Sequence, residues 1–461
     1  MDLDRQACDR ARRSRDARFD GRFFIGVTTT RVYCRPICPA RAPKDEHVRY
    51  FPSAAAAEAA GFRPCLRCRP EASPGTPAWL GTSGLVSRAL RLIGEGALDE
   101  DGVDRLAERL GVTARHMRRL FLQHLGATPL DVALTRRVHF AKKLLDETSL
   151  AVHDVALASG FGSVRRFNSQ IRRIYSRTPT ELRRLARKRV PSDPECYRFR
   201  LAYRPPYDWE AVLAFLGARA LPGVESVDGS GYGRTISIEG KSGVIAVSRH
   251  PSAPALYLDV RFPDPRALLL IAERVRRVFD LGADPIVISE HLRADPLLGP
   301  LLARHPGIRV PGAWDGFELS VRTTLGQPIS TRLASLFGAR VETGLRLDRL
   351  FPTPAQLRNA PLERAGMKTA RAEVIRSLAR SAAEGTMPLF TTAEPDEFPA
   401  DDGLLRAMTG TRTARELKRR SEAWRPWRGY AFMLLWTDDG RTYAQGNGGR
   451  YASGLAAHAA R

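Results

Sequence analysis

The cysteines are the residues whose spacing most directly suggests chemistry. Of the six cysteines in the chain, four form two close pairs, Cys34-x3-Cys38 and Cys65-x2-Cys68. Two cysteines at such a spacing place their thiolates within reach of one tetrahedral Zn²⁺, and a second pair completes the ligand shell. The sequence therefore predicts one zinc site, with unrelated core cysteines as the alternative. Cys8 and Cys196 have no partner nearby in the sequence, and we expect both to be ordinary thiols.

Such a zinc site favours nucleophilic chemistry as well as a structural role. Four thiolates around one Zn²⁺ leave a net negative charge, which makes one sulfur an unusually reactive nucleophile. Arginines flank both cysteine pairs and would surround the site with positive charge suited to a DNA phosphate: Arg31, Arg35, Arg41, Arg63, Arg67 and Arg69. A purely structural zinc ribbon is the alternative to a reactive centre.

The composition excludes some classes of protein and favours a polyanionic partner. The chain has 461 residues, 43% hydrophobic and 27% charged, which is enough apolar material for about three packed domains. It contains no apolar run of about 18 residues and begins with no secretory h-region, so we expect a cytoplasmic protein without a membrane segment. Its formal net charge of +23 points most often to nucleic acid.

A weak internal repeat marks the middle of the chain as a tandem helix-turn-helix domain. Residues 106–129 and 155–179 each contain a helical pattern, a glycine turn, a polar cap and a basic helix. Thr113 and Ser163 are the expected caps, and the helices after them would enter the major groove. Their DNA-facing residues would be Arg115, Arg118, Arg119, Arg165, Arg166 and Asn168. A helical bundle with solvated arginines is the alternative.

The C-terminal half predicts a small antiparallel sheet followed by helices. Apolar and polar residues alternate over 234–238, 243–247 and 255–260, which indicates strands. A basic, proline-containing stretch at 186–194 is typical of a linker before this half. From Pro265 onward the pattern is helical.

The cysteine-rich segment resembles the N-terminal domain of the Ada family. The resemblance covers about residues 14–72 and rests on segments 20–27, 32–38 (Val-Tyr-Cys-Arg-Pro-Ile-Cys) and 60–68. It implies that Cys34 accepts a methyl group irreversibly from a DNA methylphosphotriester, with Cys38, Cys65 and Cys68 as the remaining zinc ligands. Residues 83–186 resemble the AraC-type DNA-binding domain, which follows the zinc module in Ada-like regulators.

The C-terminal half resembles AlkA, the alkylated-base DNA glycosylase, over about residues 195–439. The matching segments are 205–209 (Pro-Pro-Tyr-Asp-Trp), 279–281, 305–312, 325–327, 351–354 and 424–430. The family places its catalytic aspartate just after a Phe-Pro element, here followed by Asp401 and Asp402. The resemblance assigns Asp402 as the carboxylate that stabilises charge at C1′ or activates water, with a solvated acidic loop as the alternative.

The resemblance also implies a DNA wedge and a base pocket. Gln327 and Pro328 fall where the family inserts a wedge into the duplex, although a proline there is also suited to begin a helix. Tyr430 and Trp436 would line the pocket for the flipped base, with a place in the core as the alternative.

One departure from the AlkA pattern leaves two functions open. The family's Leu-Pro-Gly-Ile/Val-Gly hairpin turn is missing between Gly385 and Asp401, and the chain is shorter there. The sequence also has no Pro-Cys-His-Arg element, so repair of O6-alkylguanine is not predicted. The chain is either a methylphosphotriester-sensing regulator fused to a DNA-3-methyladenine glycosylase, or a regulator whose AlkA-like half has lost that activity.

The expected architecture is a multidomain α+β protein. It comprises a zinc domain (1–76), an all-α tandem helix-turn-helix domain (83–188), an α+β sheet domain (195–270), a shortened α-helical glycosylase-like domain (271–440) and a tail (441–461). Zn²⁺ is the expected cofactor. Double-stranded DNA is the expected partner, together with RNA polymerase if the chain activates transcription.

Overall fold

The computed structural model describes residues 4–74, 84–99, 101–186, 196–343, 347–384, 409–411 and 413–446. The chain divides into two compact units. The first comprises Met1–Pro205, His250–Arg276 and Leu281–Asp284, and the second comprises Pro206–Arg249, Arg277–Asp280 and Pro285–Arg461. In the part of the chain that the structure describes, no helix is long and apolar enough to cross a membrane.

The first unit begins with the cysteine-rich segment, which folds around a four-stranded sheet. Its elements are α1 (Arg5–Ser14), β1 (Phe24–Val27), β2 (Val32–Cys34), β3 (Val48–Phe51), α2 (Ala54–Ala59) and β4 (Arg63–Pro64). The strand order is β3-β1-β2-β4, with β4 parallel to β2 and the other pairs antiparallel. Gly26 in β1 is required because a Cβ there would lie 2.6 Å from the ring of Phe51 and 2.9 Å from that of Phe62.

In the described part of the chain that follows, the first unit has seven helices, which include the two expected helix-turn-helix modules. They are α3 (Gly84–Gly94), α4 (Val103–Arg109), α5 (Ala114–Leu125), α6 (Pro129–Glu147), α7 (Val152–Ala158), α8 (Val164–Tyr175) and α9 (Pro179–Leu185). The caps Thr113 and Ser163 are confirmed, since each side chain accepts the backbone N–H three residues on. Helix α6 connects the module α4–α5 to the module α7–α8.

The first unit also includes a two-stranded ladder. Strand β5 (Tyr197–Ala202) pairs antiparallel with β9 (Ala255–Arg261), from Tyr197 opposite Val260 to Ala202 opposite Ala255. The ring of Phe199 in β5 lies 6.0 Å from that of Phe140 in α6. This contact joins the ladder to the helical part of the same unit.

The second unit contains an antiparallel meander and most of the C-terminal helices. The meander is β6 (Glu225–Asp228), β7 (Gly231–Ile238) and β8 (Lys241–Arg249). Helix α11 (Leu268–Val278) begins in the first unit and ends in the second. The other helices of the second unit are α10 (Trp209–Arg219), α12 (Pro285–Leu292), α13 (Leu298–Arg304), α14 (Gly316–Phe337), α15 (Pro354–Leu357), α16 (Thr369–Ala383), α17 (Ala414–Ser421) and α18 (Arg428–Gly446). The predicted strands at 234–238, 243–247 and 255–260 and the multidomain α+β class are confirmed.

Candidate functional site

Four cysteine sulfurs meet at one point of the zinc domain. Strand β2 ends at Cys34, the turn after it carries Cys38, and the turn after β4 carries Cys65 and Cys68. Their sulfur atoms all lie within 4.8 Å of one another, and all four cysteines are free of disulfides. The second turn is attached to β2, since the backbone N–H of Cys65 donates to the carbonyl of Tyr33 at 3.0 Å.

The donor set fits a tetrahedral zinc ion. Hydrogen bonds among the four sulfurs raise the pKa of Cys34 and Cys68 and lower those of Cys65 and Cys38, the last to about 7. A cation coordinates thiolates in place of the protons that these sulfurs share. Cys65 and Cys68 are buried, whereas Cys34 and Cys38 are partly exposed. The predicted Zn²⁺ site at these four residues is confirmed.

The arginines around the zinc site have two different environments. Arg63 and Arg67 are exposed, as are Arg31 and Arg41. Arg35 is buried: its Nε donates to Asp20 Oδ1 at 2.8 Å, and its Nη1 donates to the carbonyl of Cys68 at 3.0 Å. We expected Arg35 to face DNA, but its guanidinium instead holds the second cysteine turn against the start of the domain. Its burial supports a structural role.

Arg69, which follows the last cysteine, is half-buried and forms an ion pair with Asp146 of α6, with 2.6 Å between its Nη2 and Oδ2. A guanidinium withdrawn from water needs a carboxylate partner, and this one lies in the helix-turn-helix domain. Arg69 therefore joins the two domains of the first unit, which is a different role from the surface charge that the sequence predicted.

The predicted DNA-facing residues of the two recognition helices all lie on the surface. These are Arg115, Arg118 and Arg119 of α5 and Arg165, Arg166 and Asn168 of α8. Each set lies in the first turns after a capped helix start, where helix-turn-helix proteins contact base edges and phosphates. Each module therefore presents one exposed basic helix start.

The predicted base-pocket residues of the second unit are engaged with other side chains. Tyr430 is buried and donates from its hydroxyl to Asp280 Oδ2 at 2.7 Å. Trp436 packs edge-on against Phe215, with 5.0 Å between ring centroids. Burial raises the pKa of Asp280 to about 6, although the nearby charge of Arg309 and the Tyr430 hydroxyl oppose this rise.

The predicted wedge lies at a break in α14. Gly326 adopts a left-handed conformation, with φ of 72° and ψ of 168°, so the helix stops and starts again. Gln327 and Pro328 are exposed at this break, and Gln327 Nε2 donates to the carbonyl of Ala220 at 3.1 Å. The catalytic candidate Asp402, its neighbour Asp401 and the segment expected to lack the hairpin lie outside the described residues.

Sequence reasoning missed a polar cluster beside the zinc site. Glu58 lies among Tyr33, Thr135 and His139, all within hydrogen-bond distance. One signal was available, because Glu58 is the only charged residue in the alanine-rich helix α2. A lone carboxylate in such a helix requires partners when the helix is buried.

Three segments of the chain match known protein families. Residues 7–71 match the metal binding domain of Ada, residues 106–185 match a helix-turn-helix domain, and residues 198–315 match the AlkA N-terminal domain. Together these segments define a class of multidomain DNA-binding repair and regulatory proteins.

Three relatives show how these segments combine. A protein of Mycobacterium tuberculosis, named "Probable bifunctional transcriptional activator/DNA repair enzyme AlkA", is 38% identical over 95% of this chain and 97% of its own length. The Escherichia coli "DNA-3-methyladenine glycosylase 2" is 32% identical over 52% of this chain and 98% of its own length. The Escherichia coli "Bifunctional transcriptional activator/DNA repair enzyme Ada" is 36% identical over 25% of this chain and 31% of its own length. The chain belongs to the family of Ada–AlkA fusion proteins.

Proposed function

We propose that the chain is a DNA alkylation-damage response protein that senses methylphosphotriesters through Cys34 and excises alkylated bases through its AlkA-type half. The observation that carries the proposal is the group of four cysteine sulfurs within 4.8 Å, in a chain that also bears two exposed basic recognition helices. The expected domain boundaries, 1–76, 83–188, 195–270, 271–440 and the tail 441–461, are part of the proposal. Because its thiols must stay reduced, we propose a cytoplasmic location.

The reaction at Cys34 is a single methyl transfer. Its sulfur attacks the methyl carbon of the phosphotriester, so that an S–CH₃ bond forms, the CH₃–O bond breaks and a phosphodiester anion leaves. Zinc, when bound, keeps the four sulfurs deprotonated at neutral pH. Cys34 suits the acceptor role because it is partly exposed and is the last residue of β2, which fixes its backbone.

Methylation would then alter DNA binding. Conversion of one thiolate to a thioether removes one negative charge from a centre that faces phosphates, so affinity for DNA rises. Exposed Arg63 and Arg67 are proposed to contact those phosphates. The tandem helix-turn-helix modules bind double-stranded DNA, and we propose RNA polymerase as the partner through which the bound protein activates transcription.

The glycosylase activity is proposed to depend on Asp402. A carboxylate beneath C1′ of a flipped nucleotide stabilises the positive charge that develops as the N-glycosidic bond breaks. Gln327 and Pro328, exposed at the break of α14, suit the wedge that holds the duplex open. Tyr430 and Trp436 are proposed to support the pocket rather than to contact the base, because both are engaged with Asp280 and Phe215.

A second candidate function is that of a regulator whose AlkA-type half no longer excises bases. One observation favours it: the alignment with the glycosylase spans 282 positions and 98% of that protein, but this chain contributes only about 240 residues to it, 52% of its 461. This chain thus lacks residues that the glycosylase has. Release of free 3-methyladenine from alkylated DNA by the wild-type chain separates the two functions, since the second predicts none.

The sensing function is tested by locating the methyl group. Full-length protein is incubated with duplex DNA carrying methylphosphotriesters, digested and analysed by mass spectrometry. We expect one S-methyl group per chain, on Cys34. A mark on Cys38, Cys65 or Cys68 instead, or no mark at all, would refute the assignment.

A further inference from the structure

One face of helix α6 is polar and yet largely shielded from solvent. Thr135, His139, Lys142 and Asp146 follow one another at intervals of four, three and four residues, the spacing that places side chains on one face of a helix. We call these four residues the α6 stripe. Such spacing usually belongs to apolar residues that face a core, so each polar member here needs a specific partner.

The first half of the α6 stripe binds Glu58 of the zinc domain. The Glu58 Oε2 accepts from the Thr135 hydroxyl at 2.7 Å, and its Oε1 lies 3.1 Å from His139 Nε2. The same Oε1 accepts from the hydroxyl of Tyr33 at 2.8 Å, and that hydroxyl lies 3.0 Å from His139 Nε2. Tyr33 is fully buried and is the residue immediately before Cys34.

The second half of the α6 stripe binds the segment that follows the last cysteine. Arg69 comes directly after Cys68, and its Nη2 lies 2.6 Å from Asp146 Oδ2. Two residues on, Glu71 Oε1 lies 3.6 Å from Lys142 Nζ, which in turn lies 2.5 Å from Asp146 Oδ2. The side chains of Glu71, Lys142 and Asp146 are all less than 7% exposed.

A third contact attaches the zinc domain to the first recognition helix. The hydroxyl of Ser53 donates to the carbonyl of Leu125, the last residue of α5, at 2.7 Å. Cys34 and Cys68 are therefore each next in sequence to a residue that α6 holds, and α5 is held as well. Buried charged pairs of this kind contribute little net stability but fix one geometry, because any other arrangement leaves them unpaired.

We propose that the α6 stripe joins the zinc domain and both helix-turn-helix modules into one DNA-binding body, so that a duplex held by the recognition helices presents its phosphates to Cys34 in a fixed geometry. The inference rests on the proposed methyl transfer. Without the α6 stripe, the zinc domain and the helix-turn-helix domain would bind the duplex independently. The effective concentration of the zinc domain at a duplex already bound by the recognition helices would then be set only by the connecting chain. The consequence is a rate of methyl transfer that depends on duplex length.

The experiment compares single-turnover methylation of Cys34 by the full-length zinc-loaded protein on two duplexes. One has about 12 base pairs and engages the zinc domain alone, whereas the other has about 36 and also reaches both recognition helices. Each carries one methylphosphotriester at its centre and is used below saturation. For the wild type we expect methylation to be at least about tenfold faster on the long duplex.

Two variants break contacts of the α6 stripe, one by changing residues on α6 and the other by changing a residue of the zinc domain. Thr135→Val/His139→Leu removes the donors on α6 and leaves Glu58 paired with Tyr33. Arg69→Met removes the zinc-domain partner of Asp146 and leaves Asp146 paired with Lys142 of its own helix. For both we expect the long-duplex advantage to fall below about threefold, while the short-duplex rate stays within about twofold of wild type. The matched control is His153→Leu, the same substitution at a side chain that is 66% exposed on α7, and it should keep the full advantage.

The outcomes separate the two claims. If the wild type shows no length advantage, or if both variants retain it, the α6 stripe does not couple the domains. Equal losses on both duplexes leave the advantage intact and would mean that the stripe only stabilises the zinc domain, which also contradicts the proposal. If the wild type transfers no methyl group to Cys34 from either duplex, the proposed function itself fails.

Discussion

The proposed methyl-acceptor centre and the proposed glycosylase centre differ in how their residues are distributed along the chain. The four cysteines span 34 to 68, and a single small sheet brings their sulfurs within 4.8 Å. The residues expected at the glycosylase centre run from Gln327 to Trp436, and those that the structure describes hold partners far away in sequence, such as Asp280 for Tyr430. A site whose ligands share one local fold can be predicted from spacing alone, whereas a site assembled from distant segments cannot.

Loss of one zinc ligand should have the largest effect and tests the first half of this comparison. We expect Cys65→Ser to hold far less than one zinc per chain and to slow methylation of Cys34 by more than about a thousandfold, because the remaining sulfurs are no longer held as thiolates. Metal analysis and mass spectrometry of the purified protein measure both effects.

The matched control for the zinc ligand is Cys8→Ser. Cys8 is also buried, and burial raises its pKa to about 11, so that it is a neutral thiol outside the cluster. This variant should keep its zinc and its methylation rate. A Cys65→Ser protein with full zinc and full activity would contradict the four-ligand assignment.

The second prediction concerns the glycosylase centre. If Asp402 stabilises charge that develops only in the transition state, Asp402→Asn should reduce release of 3-methyladenine by about 10²–10³-fold while DNA affinity stays within about twofold. Asp401→Asn is the neighbouring control and should stay near wild type. Equal release by wild type and Asp402→Asn would make the assignment wrong, and no release by either favours the regulator-only function.

The third prediction addresses the two recognition surfaces. Replacement of one exposed arginine in each module, Arg118→Ala/Arg165→Ala, should weaken binding to an unmodified duplex by about tenfold or more, and should lower the salt dependence by about one ion per lost phosphate contact. Fluorescence anisotropy at several salt concentrations measures both quantities. Arg184→Ala, an exposed arginine of α9 outside the recognition helices, should change neither. A bundle with merely solvated arginines would show equal, small effects for all three positions.

Local signals predicted much of the first unit. The caps Thr113 and Ser163 were predictable because a hydroxyl before a helix satisfies backbone N–H groups that would otherwise lack partners. In the same two helices Phe121 and Phe167 are fully buried, on the side away from the exposed arginines. The cysteine spacing predicted the zinc site for a similar reason, since each pair is confined to a single turn.

Contacts between distant segments were not predictable. His139 and Lys142 have the spacing of a polar helix face, and only the packing of the zinc domain against α6 shows that they are covered. Arg35 lies next to a zinc ligand and was expected at DNA, but its partner Asp20 is 15 positions away and gives no local signal. For Tyr430, the partner Asp280 is 150 positions away.

The smallest predicted effect tests whether the buried pair of Tyr430 and Asp280 has a structural role in the second unit. The Asp280 carboxyl accepts from Tyr430 at 2.7 Å and from the backbone N–H of Val310 at 3.1 Å, and burial raises its pKa to about 6. An asparagine at this position would have the same shape, and its side-chain oxygen could accept the same two hydrogen bonds without any charge. Asp280→Asn is therefore a clean probe of the carboxylate charge.

The sign of the pH dependence follows from the raised pKa. An unfolded chain holds aspartate at its ordinary pKa near 3.9, so between about pH 4 and pH 6 the native state binds the proton more tightly, and this stabilisation is lost as the pH rises through 6. Asp280→Asn should therefore increase the free energy of unfolding by about 1–3 kcal/mol at pH 8 and by almost nothing near pH 4. Thermal melting at the two pH values measures the difference, with Glu210→Gln, an exposed carboxylate of α10, as a control that should shift by less than about 0.5 kcal/mol. An Asp280→Asn protein that is destabilised at pH 8 would mean that the native state needs the ionised carboxylate, against the expectation that burial of its charge costs stability.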